Sequence, residues 1–138
     1  MKPEAPEDLL RKAFLRPTRQ RIALAELLFS KGDRHISAED LFEEAKNAGV
    51  HVSLATIYNT LHQFTENGLL RAISIDSSKT YFDTNTGNHH HFYIENTNEV
   101  IDMPEGFVTV ENLPHPPDGM EISRVDVVVR VRKNQSLR

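Results

Sequence analysis

The stretch SLATIYNTLHQFTENG, residues 53–68, followed directly by LLRAISIDSSKTYFDT, residues 69–84, decides the fold. Ser53 is a good helix N-cap and Gly68 a stop. Between them Leu54, Ile57, Leu61 and Phe64 recur at helical spacing, so one stripe is expected to be buried. The other face carries Thr56, Tyr58, Asn59, His62 and Gln63. These side chains are neutral and hydrogen-bonding, whereas a merely solvated helix is usually laced with Glu and Lys. Residues 69–75 and 80–84 then read as strands around Asp76-Ser77-Ser78-Lys79, a hairpin with turn chemistry at its tip.

Working upstream, three more helical stretches come into view. Ser37-Ala38-Glu39-Asp40 fits a capping box. Ala38, Leu41, Phe42, Ala45 and Ala48 line one face of the helix it starts, which stops at Gly49. Thr18 caps a helix running through Ile22, Ala25 and Leu28 to Gly32, and residues 7–14 form a short helix broken near Pro17. Helices followed by a hairpin, the last helix polar on its outer face, give the order of a winged helix-turn-helix. Such a fold inserts one helix into the major groove, where base edges are read by hydrogen bonds. The competing reading is a helical module whose uncharged face contacts another protein.

Downstream the pattern changes. Residues 89–94 and 99–103 read as short strands around the Asn96-Thr97-Asn98 turn, and 105–113 is ambiguous between coil and one or two helical turns. Val125, Val127, Val129 and Val131 alternate with Arg124, Asp126, Arg130 and Arg132, a period-2 strand. The expected fold class is α+β: an N-terminal winged helix-turn-helix over 1–84, a polar hinge at 85–88, and a small β-rich domain over 89–138. That second domain is too small to bury a comfortable core, so a homodimer or higher homo-oligomer is expected, which would present two reading helices to a near-palindromic operator.

The chain of 138 residues is 38% hydrophobic and 26% charged, the composition of a globular protein. No apolar run approaches the roughly 18–20 residues of a membrane span and no basic-then-apolar leader opens the chain, so the expectation is a cytoplasmic protein without a membrane partner. The net charge of -4 weighs mildly against nucleic acid. Against that, Arg11, Lys12, Arg16, Arg19 and Arg21 cluster with no acid among them, a local basic edge on an acidic molecule. Cysteine is absent, which excludes disulfides, thiolate metal sites and cysteine nucleophiles together.

Any metal must therefore be held by imidazole and carboxylate. His89-His90-His91 opens a strand; alternation points His89 and His91 one way and His90 the other. Asp83 ends the wing strand, Asp102 lies on the strand that would pair with 89–94, and His35 precedes the helix capped by Ser37. Such a sulfur-free set suits Fe(II), Mn(II) or Zn(II). Either aspartate alone reads as an ordinary solvated carboxylate, and His51 and His62 as surface groups. A hydrolytic metal site with Glu95 or Glu99 as base is the weak competitor. Nothing resembles a nucleophile elbow, a zinc-protease helix or a phosphate loop, so no enzyme is expected.

Together these residues resemble the ferric uptake regulator family. The matching stretches are Arg19-Gln20-Arg21, residues 35–41, residues 53–61, Tyr81-Phe82-Asp83 and the triplet His89–His91, in the family's order over about residues 10–132. The family's paired cysteines are missing, with Glu95 and Asn98 about where the first pair would stand, and the triplet is followed by Phe92-Tyr93. Both departures look like the iron response regulator branch. The resemblance implies a regulator of iron and haem genes that binds operator DNA and responds to metal and to haem, with haem held by His89, His90 or His91. It also implies that His35, Asp83, His90 and Asp102 form a regulatory site between the two halves, and that His89 and His91 serve a second one. Arg16, Arg19, Arg21, Ser53, Thr56, Tyr58 and Asn59 are implied to meet DNA, Tyr58 at the bases.

Overall fold

Three hydroxyl caps start the three longer helices. Thr18 Oγ1 accepts from the Arg21 amide at 3.2 Å, and Ser37 Oγ and Ser53 Oγ accept from the Asp40 and Thr56 amides at 3.1 Å each. Each satisfies an amide the helix itself leaves unpaired. The computed structural model describes residues 4–134. Along them run α1 (Pro6–Lys12), α2 (Arg19–Phe29), β1 (His35–Ile36), α3 (Ala38–Asn47), α4 (Leu54–Glu66), β2 (Arg71–Asp76), β3 (Lys79–Asp83), β4 (His91–Ile94), β5 (Glu99–Asp102) and β6 (Val128–Val131). The fold class is α+β. No helix among these residues is long and apolar enough to cross a membrane.

The chain divides into two compact units, residues 1–86 and 87–138, and residues 85–88 straddle the division. In the first unit Leu24, Leu28, Leu41, Ile57, Leu61, Phe64 and Phe82 are fully buried in one core built by α1–α4 and the sheet. Each such side chain contributes roughly 1.5–3 kcal/mol by leaving water. On α4 the buried positions are Ile57, Thr60, Leu61 and Phe64, while Leu54 lies partly exposed at the first turn, where the core has not yet begun. Gly68, at φ +82°, lets the chain leave α4: its amide donates to Thr65 and that of Leu69 to the Phe64 carbonyl at 2.8 Å.

The wing holds one strand that the periodicity of the sequence did not signal. Residues 35–36 add β1 to the hairpin, giving an antiparallel sheet of order β1-β3-β2. Two residues are too few to show alternation, which is why His35 reads as loop in the sequence. At the hairpin tip Asp76 Oδ1 accepts from the Ser78 amide and hydroxyl, each at 2.8 Å.

The second unit is a three-stranded sheet of order β5-β4-β6, with β4 antiparallel to β5 and parallel to β6. Two expectations are corrected here. The strand expected from residue 89 begins at His91, and the long alternating strand shrinks to Val128–Val131. The sequence alternation continues N-terminal to β6 without ladder pairing, because the neighbour β4 is only four residues long. Residues 104–127 contain no helix or strand. Tyr93 and Met103 are the buried apolar side chains of this unit.

Candidate metal centre and nucleic-acid face

In the first unit the metal-type donors come from neighbouring strands. His35 and Asp83 are Cα partners across β1 and β3, and His35 Nε2 lies 3.1 Å from Asp83 Oδ2. Asp83 is fully buried and its other oxygen accepts from the Asn85 amide at 2.8 Å. On the opposite side of β3, Asp83 is the Cα partner of Arg71, itself almost fully buried. Imidazole, carboxylate and guanidinium thus occupy one cross-strand row, and residues in such rows face the same side of a sheet. A buried carboxylate is costly unless a cation or hydrogen-bond donors stand next to it, and the Asn85 amide is one such donor.

His35 is held by its neighbour in sequence. The Arg34 amide donates to Thr84 Oγ1 at 2.9 Å and the Thr84 amide returns a bond to the Arg34 carbonyl at 3.0 Å. The Arg34 guanidinium grips both oxygens of Glu44 on α3 and also donates to the Leu27 carbonyl at 3.2 Å. The Arg34 hydrogen bond, followed by the weaker help of Lys31, keeps the Glu44 carboxyl below its ordinary value against the opposing effect of burial.

In the second unit His89 and His91 converge on one carboxylate. Their Nε2 atoms lie 3.1 and 3.2 Å from the same Asp102 Oδ1, with ring centroids 4.6 Å apart. His91 and Asp102 are Cα partners across β4 and β5. One donor atom from each of the three lies within 4.8 Å of the others. Ligands at ~2.0–2.2 Å from a common ion stand about 3.0–3.5 Å apart, and both imidazole–carboxylate spacings fall in that range. Imidazole with carboxylate and no sulfur is the donor chemistry of Fe(II), Mn(II) or Zn(II).

His90, just before β4, makes different contacts. Its Nδ1 accepts from the Val127 amide at 3.1 Å and its carbonyl from the Met103 amide at 2.8 Å. The grouping therefore differs from the one the resemblance implies: Asp102 meets His89 and His91, and His90 ties the approach to β6. The implied pairing of His90 with Asp102 fails by one residue, since a slip of one reverses the face of every side chain.

The polar face of α4 is open. Tyr58, Asn59, His62 and Gln63 are exposed and Thr56 half-buried. Ser53 is occupied as the cap, also donating to Thr56 Oγ1 at 3.0 Å. The Tyr58 hydroxyl donates to Glu39 on α3, and this bond raises the phenol above its ordinary value. Arg16 and Arg19 are exposed. Arg21 instead braces the fold, donating to the Arg16 carbonyl at 2.9 Å and to Gln63 Oε1 at 3.1 Å. Glu39, Arg34 and Arg71 were missed from the sequence, because isolated charges give no periodic signal.

Comparison with known proteins supplies the context. The model of the ferric uptake regulator family matches residues 12–128. The ferric uptake regulation protein of Pseudomonas aeruginosa is 33% identical over 128 residues, covering 91% of this chain and 96% of that protein. The peroxide-responsive repressor PerR of Staphylococcus epidermidis is 34% identical over 94 residues, covering 68% and 62%. Among solved structures, the ferric uptake regulator from Pseudomonas aeruginosa with manganese superposes at a TM-score of 0.71 and 29% identity, covering 96% of this chain and 100% of that one.

Proposed function

The chain belongs to the ferric uptake regulator family, whose members are metal-responsive transcription regulators and not enzymes, and we propose that it is an iron- and haem-responsive regulator of iron and haem metabolism genes. The observation that carries the metal arm is the convergence of His89 and His91 on Asp102 at 3.1–3.2 Å. In this reading those three residues hold a divalent ion, which supplies positive charge and a fixed coordination geometry. Three ligands leave room for more, and His35 with Asp83 are donors of the same chemistry, separated from His89 along the chain by only five residues beyond Asp83. An ion held by such donors would bias the spacing of two reading helices in a dimer. It shifts that balance only by its difference in affinity between the two arrangements.

Operator DNA would be read by Thr56, Tyr58 and Asn59, with Arg16 and Arg19 at the phosphates and Arg21 and Ser53 holding those residues in place. The family's manganese-bound relative supports the metal class, and the exposed neutral face of α4 supports base contact.

The haem arm rests on the sequence. With no cysteine in the chain, the three consecutive imidazoles are the natural axial ligands, and the missing cysteine pairs fit the iron response regulator branch. His89 and His91 cannot serve haem while ligating an ion, so the two ligands would compete. Ligation through His90 Nε2 would move the ring's proton to Nδ1 and so end the bond accepted from the Val127 amide, loosening the approach to β6.

The test measures operator binding by fluorescence anisotropy while Mn(II) and then haem are added. Binding should tighten with Mn(II) and weaken with haem, and H89A/H91A should abolish the Mn(II) response. Full retention of both responses in a variant with all three histidines changed to alanine would rule out the triplet as sensor.

A further inference from the structure

Phe14 stands apart from every other large apolar side chain of the described residues: it is 94% exposed, and its backbone is left-handed at φ +60°. It follows α1. Its amide donates to the Arg11 carbonyl at 3.0 Å and that of Leu15 reaches back to the Leu10 carbonyl at 2.9 Å. Phe14 therefore fills the capping position that glycine usually takes, where a Cβ crowds the backbone. The ring recovers nothing for this, because it packs on almost no protein surface. A strained conformation bearing an exposed aromatic side chain points to a use outside the fold.

The peptides on both sides of the ring are pinned to α4. Asn67, at the end of that helix, donates Nδ2 to the Ala13 carbonyl at 2.8 Å. Arg21 donates to the Arg16 carbonyl at 2.9 Å and, with its other nitrogen, to Gln63 at 3.1 Å. Phe14 is thus held in fixed register with the helix read above as the DNA reader. Every charged side chain from residue 9 to residue 25 is basic. Arg11 and Lys12 pair back along the chain with Asp8 and Glu4, while Arg16 and Arg19 are exposed.

We propose that Phe14 is an apolar DNA contact, its ring lying against the sugar wall of the minor groove beside phosphates met by Arg16 and Arg19. The charge around it selects the partner: an aromatic ring bordered by arginines suits a polyanion with apolar sugar faces. Aromatic and aliphatic side chains serve other DNA-binding proteins in that groove in the same way. The inference rests on the DNA-binding reading above and assigns a residue that reading does not use.

The test sets stability against affinity, using the full chain with its metal and operator DNA. Phe14→Gly relieves the left-handed strain and should raise Tm by roughly 3–6 °C. The same change should weaken operator binding about tenfold, the effect of losing a partly buried ring. Phe14→Ala keeps the strain and loses the ring, so affinity falls without a gain in Tm; Phe14→Leu restores most of the affinity. The slope of log affinity against log salt stays that of the parent in all three, because no phosphate contact is removed. Unchanged affinity in both Phe14→Gly and Phe14→Ala overturns the proposal. So does a changed oligomeric state in sedimentation, which would place the ring at a protein contact. If the parent chain itself binds no operator, while folded and metal-loaded, the DNA-binding reading fails and takes this one with it.

Discussion

Glu44 receives hydrogen bonds from both Arg34 and Lys31, and Arg34 leads straight into His35. Its carboxyl, lowered from 4.5 chiefly by the Arg34 bond, makes a pH-dependent contribution to stability. The sign follows from proton uptake: with the folded value depressed, the unfolded chain takes up the proton first as pH falls. The stabilisation is complete above about 4.5 and drains away as pH drops through the folded value. Glu44→Gln should therefore cost about 1 kcal/mol at pH 7 for this partly exposed pair. As pH falls from 4.5 through the folded value the gap between variant and parent should narrow, which urea melts at pH 7 and at successively lower pH would show. A constant gap across that range would mean that the ion pair is not what the carboxyl contributes.

At the scale of the element, the wing sheet is organised around the row His35–Asp83–Arg71. Arg71 begins β2 directly after the turn that ends α4, so the strand partner of Asp83 sits where α4 joins the wing. Arg71→Met keeps the bulk of the side chain but leaves Asp83 with less compensating charge. The expected loss is roughly 3 kcal/mol in denaturant melts without metal. Added Mn(II) should return part of it, because an ion at Asp83 would supply positive charge in place of the guanidinium. Equal losses with and without Mn(II) would separate Asp83 from the metal. Just before and at the start of β4, the chain sends the rings of His89 and His91 to Asp102 and that of His90 to Val127.

At the scale of the whole molecule, the two units are unequal in core. The first buries a continuous cluster from Leu10 to Phe82, while the second buries Tyr93 and Met103 and leaves Phe107, Leu113, Met120 and Ile122 exposed. So little burial is marginal for a unit of this size, and a second copy is the economical cover. The chain is expected to sediment as a dimer or a higher homo-oligomer at micromolar concentration. Replacing Phe107 and Met120 together by serine should shift it toward monomer and lower operator affinity by more than either half-site alone would explain. A parent chain that sediments as a monomer and still binds a two-half-site operator would defeat this reading.

Much of this was legible in the amino-acid order because it is local. Thr18, Ser37 and Ser53 cap helices through bonds three residues away, and the stripe Ile57, Leu61, Phe64 needs only the pitch of a helix. The expectation that His89 and His91 point one way and His90 the other matches the geometry, although β4 itself begins only at His91. What the tertiary structure alone decided depends on pairing between distant segments. His35 became a strand because β3 lies beside it 48 residues later in the chain, Asp83 acquired Arg71 through register, and His91 met Asp102 through the β4–β5 ladder. Such pairings are set by packing and hydrogen-bond register across long loops, and a short strand or a lone arginine has no period by which the sequence could announce them.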